Sequence, residues 1–175
     1  MPGLRLPSLL TVLGLGLGLA GPSWAAPAFQ ATVLSIGDGD TLQVRSGQQR
    51  ITIRLACIDA PEMAQSPHGQ QARQALQLRL AMGRPVTIQP QSIDRYGRTV
   101  AEVISDTNIN LALVEDGLAF AYRRYLGTCD AAAYLEAELR ARRHRLGVWR
   151  VPGGLTRPWD FRRGRRSARI PDGTT

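Results

Sequence analysis

Ile51-Thr52-Ile53-Arg54-Leu55-Ala56-Cys57 alternates with a period of two. Successive side chains of an extended strand point to opposite faces, so Ile51, Ile53, Leu55 and Cys57 are expected to face a core. Arg54 then points the other way. Upstream, Ala31–Ile36 and Thr41–Val44 read as strands flanking Gly37-Asp38-Gly39-Asp40, a turn signal. Ser46-Gly47-Gln48 marks a second turn. Downstream, Val86–Ile88 and Thr99–Ile104 read as strands joined through Asp94-Arg95-Tyr96-Gly97-Arg98. Between these groups, Ser66-Pro67 opens a helix and Gly83 closes it, with Ala72, Ala75, Leu76 and Leu80 as its apolar stripe. Asn110 is the expected N-cap of a short helix ending at Gly117, and Asp130 that of a longer one stopped by Gly147. In the longer helix Ala132, Leu135, Leu139 and Leu146 share one face. Five short strands, one inserted helix and two C-terminal helices make an α+β domain. A sheet this small closes on itself to remove its edges; the five-stranded OB-fold β-barrel is the common solution, and such barrels often bind oligonucleotides.

At 175 residues the chain has the length of one domain, and a hydrophobic content of 43% is too high for a disordered protein. Residues 1–26 are expected to be a secretory signal peptide. Arg5 precedes the uncharged run Leu6–Ala20, then come Gly21-Pro22-Ser23 and the small residues Ala25-Ala26. The apolar run is shorter than the ~20 residues of a spanning helix. The mature protein is therefore expected to be secreted or periplasmic, with no membrane attachment after cleavage. Residues 27–160 form the expected folded domain. Residues 161–175, with Arg162, Arg163, Arg165, Arg166 and Arg169, form an expected basic, disordered tail. The formal net charge is +8, carried by arginine with no lysine at all. Such a surplus favours a polyanionic partner, because neutralised phosphates release condensed counterions. The only cysteines are Cys57 and Cys129. In an exported chain this pair points to a disulfide, with two buried free thiols as the alternative.

The only histidines are His68 and His144, far apart in the chain. Zinc sites built on histidine and cysteine, and histidine general-base chemistry, have little to work with. Acid–base work falls to carboxylates. Asp38, Asp40, Asp59 and Glu62 gather at expected strand ends, and hard oxygen ligands of this kind suit calcium or magnesium. Taken singly each has an ordinary structural role available: Asp38-Gly39 is a common hairpin turn, and Arg54 or Arg98 an exposed charge.

The combination is more specific. Asp38-Gly39-Asp40-Thr41, then Arg54-Leu55-Ala56-Cys57-Ile58-Asp59-Ala60-Pro61-Glu62, then Asp94-Arg95-Tyr96-Gly97-Arg98 occur in that order. Together they resemble the thermonuclease, or staphylococcal-nuclease-like, family, over roughly Ala31 to Trp149. The resemblance implies that Asp40 and Asp59 bind Ca2+ through their carboxylates and Ala60 through its carbonyl. Ala60 stands where the family often has threonine. The resemblance further implies Arg54, Glu62 and Arg98 as the catalytic set. Tyr96, with Arg95 beside it, and Tyr122 or Tyr125 would contact the nucleotide.

The implied function is an exported, calcium-dependent endonuclease hydrolysing DNA and RNA, with single-stranded substrate favoured. Arginine suits it, being charged at any working pH and presenting paired donors to phosphate oxygens. Glu62 would orient or deprotonate the attacking water. The expected partner is the nucleic-acid substrate alone, with no stable protein partner and a monomeric chain. Two other readings stand beside this one. A non-catalytic OB-fold nucleic-acid-binding module has little reason to keep Asp40, Arg54, Asp59, Glu62 and Arg98 together. A surface protein engaging acidic polymers leaves the carboxylates unexplained.

Overall fold

The computed structural model describes residues 26–167. The expected signal peptide, Ala26 apart, lies outside these residues, as does Arg169. Strand β1 (Phe29–Ile36) turns into β2 (Thr41–Ser46), and β2 turns into β3 (Gln49–Leu55), which carries Arg54. A two-residue strand β4 (Ile58–Asp59) follows, then helix α1 (His68–Arg79). Strands β5 (Pro85–Ile93) and β6 (Thr99–Ile104) precede helix α2 (Ile109–Glu115). Strand β7 (Phe120–Ala121), helix α3 (Ala131–Arg143) and helix α4 (Pro158–Ser167) complete the order.

The strands β1-β2-β3-β6-β5 close into a barrel. Its pairings are antiparallel except β3 with β6, which run parallel with Arg54 opposite Val100. This is the expected α+β OB-fold. Val33, Leu42, Val44, Ile53, Leu55, Ile88, Ala101 and Val103 fill the interior, each at most 1% exposed. Burying one such aliphatic side chain contributes about 1.5–3 kcal/mol, so the inward half of each strand explains why the barrel forms.

The alternation around Arg54 stops sooner than expected. β3 ends at Leu55, Ile51 is only half-buried, and Cys57 leaves the strand with φ 65°. The turn lets the chain reverse into β4, which pairs antiparallel with β7, Asp59 opposite Phe120. Cys57 stays buried and is bonded to Cys129, which lies 72 residues on.

Three helical expectations need correction. The cap of α2 is Asn108, whose side chain accepts from the Leu111 N–H at 3.1 Å. Asn110 is fully buried inside the helix; it donates to the Ala56 and Ala101 carbonyls and accepts from the Val103 N–H, each at 3.0 Å. It satisfies backbone groups where β3 leaves the barrel, which a cap at the helix start would not reach. Asp130 does cap α3, accepting from Ala133 N–H. The buried face of α3, however, is Tyr134, Ala137, Glu138 and Ala141, and Ala132, Leu135, Leu139 and Leu146 are exposed. The small alanines permit close approach, and the two large buried residues bring partners. Tyr134 donates to Glu102 at 2.6 Å, and Glu138 pairs with Arg123 at 2.5 Å. Finally, α4 crosses the boundary expected at residue 160, so the start of the basic segment is helical and packed.

Candidate active site

The β2–β3 register sets Thr41 opposite Arg54, which brings Asp40 beside the Arg54 side chain. The turn before β2 is tightly held. The Asp38 carboxylate accepts from the Asp40 N–H at 3.1 Å, and Gly37 N–H reaches the Thr41 carbonyl at 2.8 Å. Gly39 sits so close to its neighbours that an added Cβ would lie 2.7 Å from the Ala72 methyl and 2.8 Å from that of Ala60. Only glycine allows this turn to press against α1, and that packing fixes Asp40.

Asp40 and Asp59 are both buried, 2% and 0% exposed. Arg54 bridges them: Nη1 donates to Asp40 Oδ1, and Nη2 to Asp59 Oδ1 at 2.5 Å. The second Asp40 oxygen accepts from the Ala60 N–H at 2.7 Å, so Ala60 meets this carboxylate through its amide.

Glu62 stands at the rim, 35% exposed along its side chain. Its backbone is fixed on two sides. Its N–H donates to the Gln65 side chain at 3.0 Å, and Gly69 approaches so closely that a Cβ there would be 2.2 Å from the Glu62 carbonyl oxygen. Gln65 in turn donates to the Thr156 carbonyl at 2.8 Å, tying this loop to the segment before α4.

Helix α4 supplies a residue that sequence reading placed in a tail. Arg162 donates through Nη1 and Nη2 to the two oxygens of Asp59, at 3.2 and 2.7 Å, and through Nη1 to Glu62 Oε1 at 2.5 Å. Burial alone would lower its pKa, but the hydrogen bonds to Asp59 and Glu62 hold it above the usual arginine range. The available signal was modest: Pro158 at the first helical position and Asp160 in the first turn, both favourable at a helix start.

Arg98 is organised by its own loop. Its Nε and Nη2 meet Asp94 Oδ2 at 2.8 and 2.7 Å, while Asp94 Oδ1 accepts from the Tyr96 and Arg98 N–H groups. Burial would raise the Asp94 pKa; the hydrogen bonds from Arg98 and Tyr96 outweigh that and lower it. Arg95 donates to the Tyr96 hydroxyl at 2.8 Å, and the Arg95 and Arg98 guanidinium groups lie 4.9 and 5.4 Å from the Tyr96 ring centre. The loop presents Tyr96, 65% exposed, beside two cations. The ion pair of Arg98 goes to Asp94 and not to the carboxylates that hold Arg54.

The two tyrosine candidates separate here. Tyr122 follows β7 directly, its N–H donates to the Cys57 carbonyl at 2.8 Å, and its phenol pKa is raised by burial and then by the charge of Asp59. Tyr125 is 53% exposed and meets Tyr122 edge-on at 4.9 Å. Trp159 of α4 stacks flat on Tyr122, ring centres 4.7 Å apart.

The donor set suits a hard cation. Asp40 and Asp59 present buried anionic oxygens of the type that holds calcium or magnesium, whereas both cysteines are locked in a disulfide. Among the described residues no three His, Cys, Asp or Glu side chains form a complete cage. The remaining positions around such a cation would fall to backbone oxygens and solvent.

Comparison with known proteins shows the family to which the chain belongs. Residues 52–151 match the model of the family described as staphylococcal nuclease homologue. The chain is similar to a micrococcal nuclease of Shigella flexneri, 41% identical over 157 residues, covering 84% of this chain and 87% of that protein. It is 37% identical over 157 residues to Protein ParB of Escherichia coli, 84% of this chain and 85% of that one. An uncharacterized endonuclease of Haemophilus influenzae is 39% identical over 119 residues, 67% of this chain and 64% of its own length.

Proposed function

The chain belongs to the staphylococcal nuclease homologue family, and from that premise we propose that it is an exported, calcium-dependent endonuclease of DNA and RNA that prefers single strands. The observation that carries this reading is the bridge by Arg54 between the buried carboxylates Asp40 and Asp59, with Glu62 at its rim. A calcium ion held by Asp40 and Asp59, with the Ala60 carbonyl, would supply fixed positive charge against a phosphate oxygen.

The chain's own residues do the rest. Hydrolysis of a phosphodiester builds negative charge on the phosphoryl oxygens as phosphorus becomes five-coordinate. Arg54 is held in place by two carboxylates, which use two of its five N–H donors and leave three for those oxygens. Its orientation is set before substrate arrives, which is where electrostatic stabilisation is most effective. Arg98 is steadied by Asp94 on a loop that also offers Tyr96 and Arg95 to the substrate. Glu62 takes the proton of the attacking water, or orients that water, from the half-buried rim next to the buried pair. Tyr122 offers a hydroxyl to the nucleotide, and Tyr96, 65% exposed, offers a ring face. Unpaired bases stack freely on such rings, which supports the preference for single strands.

Export rests on residues 1–26, and N-terminal sequencing of the mature protein tests it: a chain beginning near Pro27 supports cleavage, and an intact Met1 contradicts it. The enzymatic reading is tested on one gel. Single-stranded DNA and RNA are incubated with the protein in calcium, magnesium or chelator. Shortened products of both polymers in calcium alone are expected; products in chelator contradict the metal requirement.

A further inference from the structure

Asp59 is the most heavily engaged carboxylate of the site. Three N–H donors converge on its two oxygens: Nη2 of Arg54, and Nη1 and Nη2 of Arg162. A carboxylate offers about four lone-pair positions, so a cation seated on Asp59 has little room unless one donor leaves. The two arginines are not held equally. Arg54 is the penultimate residue of β3, paired with Thr41 of β2 on one side and Val100 of β6 on the other, and is also tied to Asp40. Arg162 sits on α4, at the C-terminal end of the described residues, with its side chain 36% exposed. The start of α4 is anchored independently of Arg162. Gln65 holds Thr156, and Arg157 lies over the Phe120 and Trp149 rings, 4.3 and 4.6 Å from their centres. Arg162 can therefore withdraw without detaching the segment before it.

We propose that Arg162 is a built-in competitor for the cation seat, a guanidinium that must give up Asp59 before a divalent cation binds there. This role of Arg162 rests on the reading of Asp59 as a metal ligand. Both occupants are positive and seek the same oxygens, so each disfavours the other.

Calorimetric titration of calcium into the mature wild-type protein, Arg162→Gln, Arg162→Lys and Asp59→Asn tests this without any measurement of activity. Arg162→Gln is expected to bind calcium about tenfold more tightly, the scale of one partly buried ion pair. Arg162→Lys, which keeps the charge but loses the two-pronged fork, is expected to fall between the two. Circular dichroism melts confirm that each variant is folded. If Asp59→Asn abolishes binding while both Arg162 variants bind no more tightly than wild type, the competition is overturned and the cation seat stands. If Asp59→Asn binds calcium as wild type does, the seat itself is misassigned and the proposal falls with it.

Discussion

Arg54 and Asp59 lie five residues apart in the chain yet meet at 2.5 Å, because a tight turn at Cys57 folds β4 back beside the end of β3. Asp59 has no exposure to solvent, and Arg54 links it to the equally enclosed Asp40. Arg54→Ala removes the shared partner of two buried carboxylates. Breaking a buried pair from one side costs about 3–5 kcal/mol. Urea denaturation in chelator is expected to show a loss of that size, and added calcium should recover part of it. A variant as stable as wild type in chelator would mean that the carboxylates are not held by Arg54.

Gly39 tests the packing that positions Asp40. Gly39→Ala places a methyl 2.7 Å from that of Ala72 and 2.8 Å from that of Ala60. Overpacking of this kind costs about 1–3 kcal/mol, and the turn should move to relieve it. Weaker calcium binding is expected to accompany the lower urea midpoint; a lower midpoint with unchanged calcium affinity would separate the turn from the seat.

The Asp94–Arg98 contact gives a pH signature. The folded pKa of Asp94 is lowered from 3.8, so its contribution to stability is present above that value and lost as pH falls through the folded pKa. The stability gap between wild type and Asp94→Asn is therefore expected at neutral pH and should close at strongly acidic pH. Denaturation curves for both proteins from neutral pH down to below the folded pKa of Asp94 read it directly. A gap that stays constant across the range would show that the carboxylate charge plays no part.

The Cys57–Cys129 bond closes a span of 72 residues and ties the turn after β3 to the residue before the cap of α3. Cys57→Ser combined with Cys129→Ser is expected to lower stability by about 2–4 kcal/mol. Because Cys57 lies two residues before Asp59, calcium affinity should fall as well. Equal urea midpoints for the double variant and the oxidised wild type would contradict this.

The barrel was legible in the sequence because its strands alternate, and Ile53 and Leu55 against Arg54 is a pattern with one physical reading. The Asp130 cap was legible for a similar reason, since the signal is local. Elements set by distant contacts were not. Strands β4 and β7 have two residues each, too few for a period to show, yet their pairing buries Asp59. Asn108 and Asn110 carry the same side chain, and only the backbone around β6 decides which one caps. The buried face of α3 includes Glu138, tolerable only because Arg123 arrives from elsewhere in the chain. Arg162 looked like tail charge because what holds it, Asp59 and Glu62, lies about a hundred residues upstream. Arg54, Asp59 and Glu62 were singled out through the family resemblance that their motifs carry, and the structure brings them together around Arg54 and Arg162. The pairing of Arg98 with Asp94, and not with those carboxylates, was visible only in three dimensions.

In the proposed reaction Glu62, at the rim of this buried pair, activates water against a metal-assisted phosphodiester. Single-turnover cleavage of an end-labelled single-stranded DNA by wild type and Glu62→Gln in saturating calcium, with binding of the uncut strand measured in parallel, tests it most directly. The account predicts that chelator abolishes wild-type cleavage. It also predicts that Glu62→Gln slows cleavage by about 10²–10³ while affinity for the strand stays within severalfold, the scale of losing one transition-state contact. Wild-type cleavage rates in Glu62→Gln, or cleavage undiminished in chelator, would contradict it.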